Sequence, residues 1–242
     1  MGALARACHP GPTLAVTTLT ALLAASAGHG LATALLVTSA VFAGQLSIGW
    51  SNDLIDERRD RQVGRLDKPV ARGDVSARLV RRAVAVALVA CLVLSVAVGL
   101  PAAAVHLGLG VAWGWAYNLG LKRTVLSPVP YAVAFGALPA VVWLALPSRS
   151  WPPGWIVVTG ALLGVGAHLL NALPDLADDV ATGVRGLPHR LGGRAVRWLA
   201  PLVLLAGSLV TIVGPAGLTG VTAGGLVVLA LSVALAAVAL VG

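Results

Sequence analysis

The acidic residues of this chain are where chemistry is to be sought first, because there are only nine and they fall in two short segments. Asp53, Asp56, Glu57, Asp60, Asp67 and Asp74 form the first segment, and Asp175, Asp178 and Asp179 the second. On a helix, Asp53, Asp56 and Asp60 recur at i, i+3 and i+7 and share one face; Asn171, Asp175 and Asp179 recur at i, i+4 and i+8 and do the same. Carboxylates gathered in this way repel one another unless cations hold them. Hard oxygen ligands select Mg²⁺, which prefers one or two carboxylates and fills its shell with waters and substrate phosphates. Basic residues interleave with the acids: Arg61, Arg65 and Lys68 follow the first cluster, Lys122 and Arg123 stand between the clusters, and Arg185 follows the second. Such a mixture suits a diphosphate, bridged by metal and clamped by Arg or Lys. Mg²⁺ and cations can then stabilise the charge of a departing diphosphate. One cluster alone reads equally as a solvated, salt-bridged helix end, with each pair worth little. Two clusters at helical spacing, with no acid elsewhere in the chain, point to a site.

The elements that must position these groups are apolar. Of 242 residues, 58% are hydrophobic and only 11% charged, and the mean hydropathy is +0.91. A soluble domain carries roughly a quarter charged residues, so most of this surface meets lipid. A bilayer core takes about 20 apolar residues per helix, and candidate spans lie near 12–28, 31–50, 78–99, 102–119, 128–147, 154–172, 196–214 and 218–241. Breakers such as Gly28 to Gly30, Pro101, Pro147 and Pro215 mark several boundaries. In lipid the backbone must satisfy itself, so these spans are helices. The expected fold is therefore all-α and integral to the membrane: about eight transmembrane helices forming one domain over 1–242.

Sixteen of the 17 Lys and Arg residues lie in the N-terminal tail or in the loops after spans two, four and six, leaving Arg149 alone on the other side. The positive-inside rule places those loops and both termini in the cytoplasm. The net charge of +8 is of the sign that nucleic acid attracts, but the basic residues sit between apolar spans; an anionic membrane surface or substrate is the better partner. Cys8 and Cys91 give neither a disulfide framework nor a metal spacing.

The segment Asn52-Asp53-x-x-Asp56-x-x-x-Asp60, followed by Arg61, Arg65, Lys68-Pro69 and Gly73, resembles the first signature of UbiA-type intramembrane prenyltransferases. Asp175-x-x-x-Asp179-x-x-x-Gly183, ending in Leu191-Gly192, resembles the second, and Tyr117 to Arg123 resembles the middle cytoplasmic segment. His9-Pro10 stands where the family often has Arg-Pro. The resemblance spans about residues 9–200. It implies a helical bundle around a central cavity, with the motif loops on the cytoplasmic side. It also implies an enzyme that ionises an isoprenyl diphosphate with Mg²⁺ and transfers the prenyl group to an aromatic or other lipophilic acceptor. Carried over residue by residue, Asn52, Asp53, Asp56 and Asp60 serve the first metal, and Asp175 and Asp179 the second. Asn52, Arg61, Arg65, Lys68, Tyr117, Lys122, Arg123, Asn171 and Arg185 bind the substrate, and Asp53, Asp56, Asp175 and Asp179 carry catalysis. The sequence departs from the family pattern at Ala172, where many members have Asp, at Gly186, where Thr is frequent, and in showing eight spans rather than nine. A membrane terpene cyclase and a non-catalytic prenyl-lipid binding or transport protein are the alternatives on the same scaffold.

Other residues read less sharply. Glu57 is expected to pair with Arg61 at i+4. His168, one turn before Asn171, either approaches the substrate or bonds to a backbone carbonyl. His29 and His106 read as structural. Trp113 and Trp115 read as interface anchors or as lining for a prenyl chain.

Overall fold

The computed structural model describes every residue except Met1, Leu66, Thr182, Ala216, Leu218, Thr219 and Gly242, and every side chain except also those of Ala177, Asp178, Ala181 and residues 235–241. Asp178, one of the acids of the second cluster, thus lies outside the described side chains.

Among the described residues the regular structure is entirely helical. Short α1 (Ala3–Ala7) leads into α2 (Pro10–Ser26) and α3 (Leu31–Gln62); α4 (Pro69–Arg72) is a single turn before α5 (Ala77–Val98). The fourth span is one continuous path made of α6 (Leu100–Val105), a π-helical stretch His106–Val111 and α7 (Ala112–Leu119). A 3₁₀ turn, Leu121–Arg123, precedes α8 (Val129–Leu144), and α9 (Gly154–Ala172) follows. The short helices α10 (Leu176–Ala181) and α11 (Leu187–Leu191) lead to α12 (Gly193–Val213) and α13 (Ala223–Val241). The eight sequence spans thus each find a helical stretch, and α3, α5, α9 and α12 are long and apolar enough to cross a bilayer.

Local chemistry sets the boundaries. Pro10 occupies the first position of α2, where its missing N–H costs nothing. Ser76 caps α5 by accepting from the Leu79 N–H at 3.3 Å. The nearly unbroken apolar run from 78 to 119 divides at Gly99, with Pro101 opening the next helix. Helix α3 has 32 residues, about 48 Å at 1.5 Å per residue, against a hydrocarbon core of about 30 Å. It is longer than the core is thick, and its charged C-terminal turns carry Asp53, Asp56 and Asp60.

The chain divides into two compact units. The first comprises residues 1–119 and 140–151, with α3 packed on α2 and α5. The second comprises residues 120–139 and 152–242, built on α9 against α12 and on α12 against α13.

Candidate functional site

Each unit holds one of the aspartate groups. In the first, α3 runs unbroken through Gln62, so the i, i+3, i+7 spacing becomes a real face. Asp53, Asp56 and Asp60 are all buried, at 1–2% exposure. Burying three carboxylates is costly unless cations and hydrogen bonds meet them, and two cations do. Lys68, itself buried, donates from Nζ to Asp53 Oδ1 at 3.1 Å. Arg59 reaches Asp56 Oδ2 at 3.2 Å and Asp60 Oδ1 at 3.3 Å through Nη2. His9 completes the cluster, its Nε2 standing 3.1 Å from both Asp53 Oδ1 and Lys68 Nζ.

His9 arrives there because the N-terminal tail is tied down. Ala7 of α1 packs with Val70, Val75 and Val80, Trp50 Nε1 donates to the Leu4 carbonyl at 2.9 Å, and Arg6 pairs with Asp74 at 2.9 Å. Gly49 permits the close approach, since a Cβ there would run into the Cys8 carbonyl. Asn52 is held from α7: its Nδ2 donates to Asn118 Oδ1 at 3.1 Å, while Asn118 Nδ2 donates to Ser51 Oγ and the Ile48 carbonyl at 2.9 Å. Tyr117, beside Asn118 on α7, is half-buried.

The other two basic residues of this segment turn toward different carboxylates. Arg61 pairs with Glu57 at 2.8 Å, as the i+4 spacing predicts, and donates to the Ala71 carbonyl at 3.3 Å. Arg65 grips Asp67 with two bonds, at 2.9 and 2.8 Å. Those hydrogen bonds from Arg65 push the Asp67 carboxyl down to about 2.

In the second unit, α9 stops at Ala172. Pro174 has no N–H to give the Leu170 carbonyl, which accepts from Leu173 at 3.3 Å instead. The chain passes through a turn at residues 173–175 before α10 begins. Asn171, Asp175 and Asp179 consequently do not share one continuous helical face: Asn171 is exposed, while Asp175 and Asp179 are half-buried. The Asp179 N–H still returns to the Asp175 carbonyl at 2.8 Å, which keeps these two a helical turn apart.

His189 contacts the second cluster directly, with Nε2 3.1 Å from Asp179 Oδ2. Its placement is built from below. Gly186 lies so close to the 3₁₀ turn that a Cβ would stand 2.5 Å from the Lys122 carbonyl and 2.8 Å from Ser127 Oγ. Glycine at this departure from the family pattern is thus a packing requirement. Next along, the Leu187 N–H donates to Ser127 Oγ at 3.1 Å, and Ser127 Oγ meets His168 Nε2 at 3.0 Å. Ser127 Oγ thus joins the Leu187 N–H to the His168 ring. His168 therefore anchors the α11 connection through a side-chain hydroxyl, and its ring lies 5.0 Å from that of Tyr131. Lys122 is buried in the same turn, whereas Arg123 and Arg185 are exposed.

The first group has oxygens that suit a hard divalent cation. Asp53 Oδ2 and Asp60 Oδ2 are buried and have no hydrogen-bond partner among the described residues. Unpartnered anionic oxygens of this kind fit cation ligation. No three His, Cys, Asp or Glu groups among the described residues converge to hold a metal by themselves. The sequence reading missed Arg59, Asn118, Ser127 and His189. Arg59 and His189 each stood near an acid in sequence or in motif, but only the folded turns show which acid each one meets.

The chain belongs to the UbiA prenyltransferase family, whose family model matches residues 14–242. It is an integral membrane protein. No curated protein matches its sequence. Among solved structures, a UbiA homologue from Archaeoglobus fulgidus bound to Cd²⁺ aligns with a TM-score of 0.75 at 14% identity, over 98% of this chain and 88% of that one. The same organism's UbiA homologue bound to GPP and Mg²⁺ gives 0.66 at 16% identity, over 100% of both chains. A digeranylgeranylglyceryl phosphate synthase gives 0.66 at 16%, over 96% of this chain and 86% of that one. At these identities the likeness establishes the fold.

Proposed function

We propose that residues 1–242 work as one catalytic domain, a Mg²⁺-dependent prenyltransferase. It moves the prenyl group of an isoprenyl diphosphate to an aromatic or other lipophilic acceptor in the membrane, with both termini in the cytoplasm. The observation that carries the reading is the buried Asp53–Asp56–Asp60 face, which keeps two carboxylate oxygens unpartnered while Lys68 and Arg59 neutralise the rest. The solved relatives bound to DMAPP or GPP together with Mg²⁺ support it.

In this reading Asn52, Asp53, Asp56 and Asp60 hold one Mg²⁺, and Asp175 and Asp179 hold another. The metal, when bound, supplies Lewis-acid stabilisation of the leaving diphosphate. Lys68 on the first unit, and Lys122, Arg123 and Arg185 on the second, are the cations assigned to diphosphate, Arg61 and Arg65 shape the loop that carries Lys68, and Tyr117 and Asn171 are assigned to the substrate. His189 orients Asp179, and His9 with Lys68 fixes the Asp53 carboxylate, so that little reorganisation is needed as charge develops. The prenyl C1–O bond breaks with its electron pair leaving on the diphosphate. The allylic cation is captured by the acceptor, which releases a proton.

The test is diphosphate release from radiolabelled geranylgeranyl diphosphate in membranes carrying the chain, with Mg²⁺ or EDTA, and with Asp56→Ala in parallel. Release that requires Mg²⁺, disappears in the variant and yields a prenylated, acceptor-dependent product supports the assignment. An acceptor-independent hydrocarbon would indicate a cyclase. Saturable binding without turnover would indicate a carrier, a reading favoured by Ala172, which is buried and offers no ligand where many relatives have Asp.

A further inference from the structure

A groove of about 530 Å³ lies between α3 and α5 on the first unit, and none of the residues assigned to the diphosphate lines it. Its floor is alanine, with Ala43 from α3 and Ala83, Ala87 and Ala90 from α5, so the two helix faces leave a furrow instead of filling it. Phe42 and Val86 form exposed apolar edges, at 38% and 69% exposure. Trp50 and Arg82 stand at one end, Ser39 and Leu94 at the other.

The dimensions match one leaflet of a bilayer. Trp50 and Ser39 are eleven residues apart on α3, and Arg82 and Leu94 twelve apart on α5. At 1.5 Å per residue these spans are about 16 and 18 Å, against about 15 Å for half of the hydrocarbon core. Arg82 lies in the second turn of α5, close in sequence to the charged segment 58–74, which makes its end of the groove the polar one. Arg82 is exposed and has no hydrogen bond or ion pair among the described residues, and the same is true of Arg78 and Arg81. All three lie in the first two turns of α5, the positive end of its dipole, where an uncompensated cation is disfavoured. An anion from outside the chain would relieve that.

We propose that this groove binds one acyl chain of an anionic phospholipid, with the lipid phosphate on Arg82. The proposal rests on α3 and α5 crossing the membrane and is independent of the prenyl-transfer reading. It is tested by native mass spectrometry of the full-length chain in neutral detergent, titrated with phosphatidylglycerol and with phosphatidylcholine of identical acyl chains. The expected result is tighter binding of phosphatidylglycerol, by about fivefold for the arginine contact. Arg82→Gln abolishes that preference, and Ala90→Leu, which fills the floor, weakens both lipids while circular dichroism and elution volume stay unchanged. Equal binding of the two lipids, or a preference that survives Arg82→Gln, would overturn the proposal. So would displacement of the bound lipid by geranylgeranyl diphosphate, which would give the groove to the substrate tail.

Discussion

Gly186→Thr places at this position the residue that the family frequently carries, and here it should damage the protein. A Cβ at 186 must part the backbone from the Lys122 carbonyl, moving from 2.5 Å to the 3.4 Å of ordinary contact, a shift of 0.9 Å. Overpacking of this kind costs about 1–3 kcal/mol. The shift pulls the Leu187 N–H from Ser127 Oγ, now 3.1 Å away, and carries His189 off Asp179. Losing a hydrogen-bond partner of a metal-ligating group typically costs about 10–100-fold in metal affinity. Two assays read the two consequences: the thermal midpoint in detergent, and Mn²⁺ binding followed by EPR in the presence of an uncleavable isoprenyl thiodiphosphate. The midpoint should fall by roughly 2–10 °C, and Mn²⁺ affinity should fall at least about tenfold. Unchanged stability together with unchanged Mn²⁺ affinity would refute both the packing account of Gly186 and the role given to His189.

Lys68→Met leaves the buried Asp53 carboxylate without its cation, and should cost about 3–5 kcal/mol in chemical denaturation; the double variant Lys68→Met/Asp53→Asn should regain most of that stability but no diphosphate release. Arg61→Ala removes an exposed i, i+4 pair with Glu57, worth about 0–1 kcal/mol, and an exposed hydrogen bond to the Ala71 carbonyl, and its initial rate should stay within about threefold of wild type, whereas Lys122→Ala should raise the substrate KM by at least about tenfold. The Asp67 carboxyl is depressed below its unfolded value, so the Arg65 clamp contributes fully above about pH 4 and is lost as pH falls toward about 2. A stability difference between wild type and Asp67→Asn should accordingly be flat from pH 5 to 8, as thermal melts across that range would show.

Much of the architecture was legible because lipid leaves the sequence few choices. Long apolar runs, breakers and one-sided basic residues located the helices to within a few residues, including the division at Gly99 and Pro101. The first aspartate face was legible because α3 continues uninterrupted, so sequence spacing and spatial spacing coincide. The second was less so, since Pro174 ends the helix and Asn171 parts from Asp175. Contacts such as His9 with Asp53, 44 residues apart, and Ser127 with His168, 41 apart, depend on tail and loop docking that periodicity does not encode. Arg59 is half-buried and reaches both Asp56 and Asp60, a double contact that its sequence position beside Asp60 does not disclose. Gly186 read as a lost polar group, and its meaning depends on a carbonyl 64 residues earlier.

The central claim is that these aspartates hold divalent ions together with the diphosphate, and Mn²⁺ titration by EPR with and without the thiodiphosphate analogue addresses it most directly. The account predicts weak binding of the ion alone and two tightly held ions with the analogue, with one lost in Asp53→Ala and one in Asp175→Ala. Binding that ignores the analogue, or that survives both substitutions in folded protein, would contradict it.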